Sequence, residues 1–293
     1  MEGEILQEVQ AKKKREMERA KERENKTREL WEALKMSEGL EKMTIGKETT
    51  KAKNRTSIPL KELRIVLLGH RGAGKTAAGN TILGSEAFPI KMSVQSIKKE
   101  GCIAQRHVTV IRASDWEKEQ LLMDTPELTK QELMLSLSMC PPGPHAIVVV
   151  VSVLLKFTEA SRRAVQEHLE LLSEKAWKHC MVLFTCEEWL GDLTIEQYIE
   201  SEGKPLQWLI EQCGNRYHVL NYKNRKGSSQ VPELLQKIEY MVTGYGGIHY
   251  QLGSDTISKL ENLRKMETER AGERRTAVDK HRQELKAKLK QRN

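Results

Sequence analysis

The sequence is poor in aromatic residues, only 5% of its 293 positions, and its apolar residues nowhere form a long run. The longest mainly apolar stretch, residues 146–155, is about half of what a membrane-spanning helix needs. Cysteine is sparse and patternless. Cys102, Cys140, Cys180, Cys186 and Cys213 make an odd total and include no C-x-x-C pair, which argues against a disulfide framework or a zinc site and for reduced thiols. The amino-terminal residues are charged throughout, so the apolar core of a signal peptide is missing there. These absences together lead to the expectation of a soluble, cytoplasmic protein.

What the sequence has in plenty is charge. Asp, Glu, Lys and Arg make up 31% of the residues, with a net charge of +8 and a pI near 9.1. That balance favours acidic partners: nucleotide phosphates, an anionic membrane surface or nucleic acid. Solvated basic helices explain it more simply than a nucleic-acid function, which is disfavoured. The charge is concentrated at the two ends, so the average conceals a packed domain between very polar flanks.

One stretch carries chemistry. Gly69-His70-Arg71-Gly72-Ala73-Gly74-Lys75-Thr76 matches G-x-x-x-x-G-K-[ST] and follows the apolar run Ile65-Val66-Leu67-Leu68. Glycines let the backbone turn so that several N–H groups converge, and the helix beginning there, with Ala77, offers its positive end to phosphates. Lys75 is placed to reach the β- and γ-phosphates, and the Thr76 hydroxyl to ligate Mg²⁺. The alternative is a plain glycine-rich turn between strand and helix. The context the motif requires, a buried-type strand before and a helix-forming segment 76–83 after, is present.

Residues 1–57 read as a charged extension, helical over roughly 5–36, then a linker; its isolated apolar residues are too sparse for a continuous heptad seam. The globular domain spans 58–250. Strands are expected at 65–68, 107–111, 146–155, 181–184 and 217–220, and helices at 76–83, 126–139, from Thr158 as N-cap, at 194–212 and at 231–242. Residues 85–105 read as a mixed polar segment. Alternating strands and helices define an α/β, three-layer P-loop domain with a mostly parallel sheet and its ligand at the carboxyl ends of the strands. Residues 251–293 return to a charged, helical style with a short apolar stripe at Ile257, Leu260 and Leu263; a coiled coil is the alternative to a solvated helix there.

Four further stretches narrow the class: Gly79-Asn80-Thr81-Ile82-Leu83-Gly84, Cys140-Pro141-Pro142-Gly143-Pro144-His145-Ala146, residues 162–169 (RRAVQEHL) and residues 213–218 (CGNRYH). Together they resemble the immunity-associated GTPases, the GIMAP-like or AIG-type G domains, most closely those of fishes, over roughly residues 63–248. The resemblance implies a GTP- and GDP-binding domain with Mg²⁺, slow hydrolysis, self-association in the GTP state, and a role in immune cells or at intracellular membranes. It also places guanine recognition at Thr185-Cys186-Glu187-Glu188, with Glu187 and Glu188 supplying carboxylate and Glu188 accepting the N1 and N2 protons of the base. Asn221 falls where the family contacts the base region.

The switch regions depart from that family. The family's D-T-P-G-W after the third strand corresponds here to Arg112-Ala113-Ser114-Asp115-Trp116, following Thr109-Val110-Ile111. The more inviting Asp124-Thr125-Pro126-Glu127 matches instead a downstream segment of the fish relatives. In that register the metal-supporting Asp is Arg112 and the γ-phosphate Gly is Asp115. A cation near the metal and a carboxylate near the γ-phosphate each oppose the family chemistry by about 1 kcal/mol or more. In the first switch only Ser93 or Ser96 is left to reach Mg²⁺, and no catalytic residue can be assigned. The expectation is a guanine-nucleotide binder with slow or absent hydrolysis and a GTP-dependent homodimer. The alternative is a pseudo-GTPase scaffold whose basic helices engage partners or anionic membrane. An ordinary ATPase or kinase lacks its lid and catalytic residues here.

Overall fold

The computed structural model describes residues 60–90, 95–186, 190, 193–221 and 229–290. The extension at 1–57 therefore lies outside the described residues. The described residues divide into two compact units, one ending at Leu252 and the other starting at Gly253.

The first unit is built on six strands: β1 (Glu62–Leu68), β2 (Ile97–Ile103), β3 (Arg106–Arg112), β4 (Ala146–Ser152), β5 (Cys180–Thr185) and β6 (Tyr217–Leu220). They lie in the order β2-β3-β1-β4-β5-β6. Every pairing is parallel except β2 with β3, so the sheet is mostly parallel with one antiparallel edge. Residues 63–68 of β1, all of β4 and all of β5 are buried without alternation, which means that helices cover both faces. Leu63, Ile65 and Leu67 join Ile82 of α1 (Lys75–Leu83) and Leu234, Leu235 and Ile238 of α6 (Gln230–Gly244) in one core cluster. Val66 and Leu68, one residue out of step, are buried on the other face.

Two of the remaining helices follow the expected pattern, each with a local reason. The helix α2 (Glu127–Ser138) starts after Pro126, and α3 (Glu159–Glu170) is capped by the Thr158 hydroxyl, which accepts from the Ser161 N–H at 3.1 Å. The single helix expected over 194–212 is two, α4 (Ile195–Glu202) and α5 (Lys204–Gln212). Gly203 between them takes φ 84°, and Pro205 stands in the first turn of α5, where its missing N–H costs nothing. A 3₁₀ turn occupies Leu122–Asp124, and β2 occupies part of the 85–105 segment read as mixed polar.

Most of the family-like stretches outside the phosphate loop are structural. Asn80 accepts the Phe88 N–H at 2.8 Å and donates to the Phe88 carbonyl at 3.2 Å, closing the turn that follows α1. At the amino ends of the strands, Arg64 donates through Nε to the Gly143 carbonyl at 2.6 Å and its Nη1 meets Glu62 at 2.9 Å. Gly143, at φ 145°, lies against Tyr250, whose carbonyl oxygen is 1.8 Å from where a Cβ would stand, so only glycine fits. The Tyr250 N–H in turn reaches the Pro144 carbonyl at 2.9 Å. Arg216 binds the Cys180 and Trp177 carbonyls.

The second unit is a single helix, α7 (Ser254–Lys290), of 37 residues. At 1.5 Å per residue it is about 55 Å long. Most of its described side chains are exposed.

Candidate functional site

The carboxyl end of β1 leads straight into the loop Gly69–Gly74 and then α1, so Lys75 is the first residue of a helix whose N-terminus faces the loop. Gly69 sits at φ 149°, and a Cβ there would stand 2.8 Å from the Val150 carbonyl oxygen of neighbouring β4. The loop can therefore hug the sheet only with glycine at that position. The Arg71 N–H donates to the Trp116 carbonyl at 2.7 Å, tying the loop to the segment after β3.

Lys75 is almost completely buried, at 3% exposure. Its ammonium donates to the Gly69 and His70 carbonyls and pairs with Asp115 Oδ1 at 2.6 Å. Burial lowers its pKa to about 8 against the opposing pull of Asp115, with Arg112 and Arg71 adding to the lowering. The other carboxylate oxygen of Asp115 receives Arg112 Nη2 at 2.8 Å. One carboxylate thus bridges two buried cations. Arg112 is the last residue of β3, level with Leu67 of β1, and this register delivers it to the phosphate loop.

Arg112 is 5% exposed, and its Nε and Nη1 are buried without a hydrogen-bond partner. A cleft of about 390 Å³ is lined by Arg71, Gly72, Lys75, Thr76, Arg112 and Asp115, among others. The structure thus brings the phosphate loop and the residues after the third strand to one place. Asp124 is elsewhere: it is exposed, in the 3₁₀ turn that α3 holds through a bond from the Leu122 N–H to Glu167.

Around this centre, Trp116 stacks flat on His168 with ring centroids 4.4 Å apart, and Lys75 lies 5.9 Å from the Trp116 ring centroid. His168 is held by the Ala164 carbonyl at 2.7 Å and Thr125 Oγ1 at 2.9 Å. His70 bonds the Arg71 carbonyl at 2.6 Å, and burial lowers its pKa.

The other predicted site residues divide. Thr185, wholly buried at the end of β5, donates its hydroxyl to the Ala73 carbonyl at 2.9 Å and so joins β5 to the phosphate loop. Asn221, just past β6, has its backbone N–H and carbonyl paired with the side chain of Gln230. Glu187 and Glu188 lie outside the described residues, as does Ser93. The Ser96 hydroxyl is engaged away from the loop: it donates to the Glu132 carbonyl at 3.1 Å and accepts from the Ser114 N–H at 3.2 Å.

A divalent metal finds little here. Thr76 lines the cleft and offers one oxygen, but the end of β3 presents a guanidinium, which cannot ligate, and the Asp115 carboxylate is already shared by two cations. Among the described residues no group of three or more His, Cys, Asp or Glu could hold a metal ion. The donor set does not fit Mg²⁺ in the way the family pattern implies.

The fold and loop define a P-loop domain of the GTPase architecture. The family model for the AIG1 family matches residues 63–271, and the chain belongs to that family. It is 34% identical over 196 residues to GTPase IMAP family member 8 of Homo sapiens, covering 64% of this chain and 28% of the relative. It is also 28% identical over 211 residues to immune-associated nucleotide-binding protein 8 of Arabidopsis thaliana, covering 68% of this chain and 59% of the relative. The chain therefore spans less than two thirds of the length of each of these relatives, about a quarter of the first and somewhat over half of the second. Among solved structures, Toc33 from Arabidopsis thaliana in complex with GDP and Mg²⁺ superposes with a TM-score of 0.52 at 12% identity, covering 63% of this chain and 86% of that one. That likeness is one of fold.

Proposed function

We propose that this chain binds guanine nucleotide at the 69–77 loop, hydrolyses it slowly or not at all, and self-associates according to the nucleotide bound. The observation that carries this reading is the buried Lys75 at the head of α1, in a loop anchored by the Thr185 hydroxyl on Ala73. The Thr185 hydroxyl holds the carboxyl end of β5 against the loop, which supports reading Thr185 to Glu188 as the base-recognition segment. Glu188 is the proposed acceptor for the guanine N1 and N2 protons, and Asn221 the residue beside the base.

Membership in the AIG1 family supports nucleotide binding, and relatives are named GTPase IMAP family member 8 and immune-associated nucleotide-binding protein 8. For self-association the support is the fold neighbour: dimerization is important for the GTPase activity of the chloroplast translocon components atToc33 and psToc159. The displacement of carboxylate and glycine by Arg112 and Asp115 is what argues for weak hydrolysis. The charged segments 1–57 and 251–293 flank this domain and are the surfaces proposed for association or for an anionic membrane, in a cytoplasmic setting.

Lys75→Ala tests the site. It removes the buried ammonium and should weaken guanine-nucleotide binding by at least about a hundredfold, as loss of one partner of a desolvated charge pair does. Equilibrium titration with GTP and GDP, beside circular dichroism to confirm the fold, reads the result. Affinity unchanged in a folded variant would remove the loop from the site.

A further inference from the structure

The mismatch between the β3 end and a metal site has its own chemical meaning, which rests on the nucleotide-binding reading above. Arg112 is a buried cation with two N–H-bearing nitrogens, Nε and Nη1, that no acceptor meets. Such a group is costly unless something supplies acceptors, and phosphate oxygens match a guanidinium in both charge and fork geometry. It lines the same cleft as Lys75 and Thr76, at the carboxyl end of the strand beside the phosphate loop.

The carboxylate that joins the two cations behaves as a phosphate would. Asp115 places Oδ1 on Lys75 at 2.6 Å and Oδ2 on Arg112 at 2.8 Å, two anionic oxygens spanning the two groups that would otherwise face a polyphosphate. A phosphate arriving at Lys75 competes with a carboxylate already there. Once Asp115 swings away, Lys75 and Arg112 present two positive charges to the β- and γ-phosphates, the same net charge that a P-loop lysine and one carboxylate-held divalent ion contribute together (+1, +2 and −1).

We propose that Arg112 and Lys75 form a metal-independent cationic clamp for the nucleotide's terminal phosphates, with Asp115 as the displaceable internal anion that bridges the clamp. Asp115 is then an internal competitor that raises the nucleotide concentration needed for loading. Arg112 substitutes for the metal's charge without its geometry, which suits binding rather than hydrolysis.

The test is equilibrium titration of the full chain with fluorescent GTP and GDP, and with tripolyphosphate, in excess EDTA and in millimolar MgCl₂. The wild type is expected to bind with affinities within about threefold in the two conditions, because no carboxylate of the β3 end holds the ion. Asp115→Asn is expected to raise the EDTA affinity about tenfold by removing the competitor, and Arg112→Met to lower it about tenfold. The Arg112→Asp, Asp115→Gly double variant is expected to regain a Mg²⁺ dependence of about tenfold or more.

Wild-type binding that falls more than about tenfold in EDTA overturns the clamp while leaving nucleotide binding intact. Tripolyphosphate binding without GTP or GDP binding keeps the clamp and overturns guanine recognition. Binding of none of the three in either condition overturns both. Should Arg112→Met fail to fold, Asp115→Asn decides alone: unchanged or weakened binding in EDTA overturns the proposal.

Discussion

Two buried arginines stand on neighbouring strands of one sheet, and they differ in what they are for. Arg64 of β1 and Arg112 of β3 are each 5% exposed. At Arg64 the Nε reaches the Gly143 carbonyl and the Nη1 reaches Glu62. At Arg112 the same two nitrogens have no partner, and a single carboxylate takes the remaining Nη2. Arg64 sits at the amino end of β1, where it fastens the 140–145 turn. Arg112 sits at the carboxyl end of β3, where an open α/β sheet binds ligands. A satisfied buried charge is a fastener; an unsatisfied one at the ligand end of a sheet is what the proposed clamp would use.

Removing each side chain is the strongest way to break that comparison. Arg64→Met strips the Gly143 carbonyl of its charged donor and releases Glu62, which is half exposed, to solvent, so it should cost about 2–3 kcal/mol of folding stability, most of it from the unmet carbonyl. Arg112→Met leaves Asp115 still paired with Lys75 and removes a guanidinium with two of its three nitrogens unsatisfied, so it should cost about 1 kcal/mol or less. Denaturant titrations of both variants decide the point. Equal losses would mean that Arg112 is structural as well.

A smaller effect sharpens the fastener side. His145 stands against Arg64: its Nδ1 accepts the Arg64 backbone N–H at 3.0 Å, which puts the imidazole proton on Nε2 and makes the 3.0 Å approach of Arg64 Nη2 to Nε2 a contact rather than a second hydrogen bond. Burial, then the charges of Arg64, His249 and His179, lower the His145 pKa from 6.5 to about 4. The folded pKa is below the unfolded one, so the unfolded chain binds the proton first as pH falls. The stability that His145 contributes is complete above pH 6.5 and is lost progressively between there and about 4, at up to about 1.4 kcal/mol per pH unit. His168 and His218, also near 4, add slopes of the same sign. Unfolding measured at about pH 6 and about pH 5 should therefore show a steep loss, and His145→Gln should flatten it by about the share of one histidine. An unaltered slope in that variant would place the titration elsewhere.

Much of this was legible in the sequence, for physical reasons. A parallel interior strand is apolar on both faces, so β1 and β4 announce themselves, and the phosphate loop is written in residues that few other structures need. The register at the end of β3 was readable only through the family resemblance, which sets D-T-P-G-W after the third strand; the β-branched Thr109-Val110-Ile111 suits a strand, whereas Leu121-Met123 alone is ambiguous. The strand β2 was hidden, since an edge strand carrying Lys98, Lys99 and Glu100 in succession has an exposed burial pattern and no buried-strand signature. The break at Gly203 could have been found from Gly203 and Pro205, a stop and a start signal two residues apart. The Asp115 carboxylate looked from sequence like repulsion toward a phosphate; its pairing with Lys75 depends on side chains 40 positions apart and no local pattern encodes it.

The same is true of Thr185. In sequence it is one residue of a recognition motif. In the fold its hydroxyl donates to the Ala73 carbonyl at 2.9 Å across 112 positions, with a longer approach to Val151 at 3.4 Å. Thr185→Val keeps the volume and removes the donor, leaving a buried carbonyl in the phosphate loop unsatisfied, at a cost of about 1–2 kcal/mol. Part of that cost should appear as nucleotide affinity, because the loop loses its anchor to β5, and Thr185→Ser should restore both. A Thr185→Val protein with full stability but weakened binding would assign the hydroxyl to the ligand; one with weakened stability and unaltered binding would make it a fastener, of the same kind as Arg64.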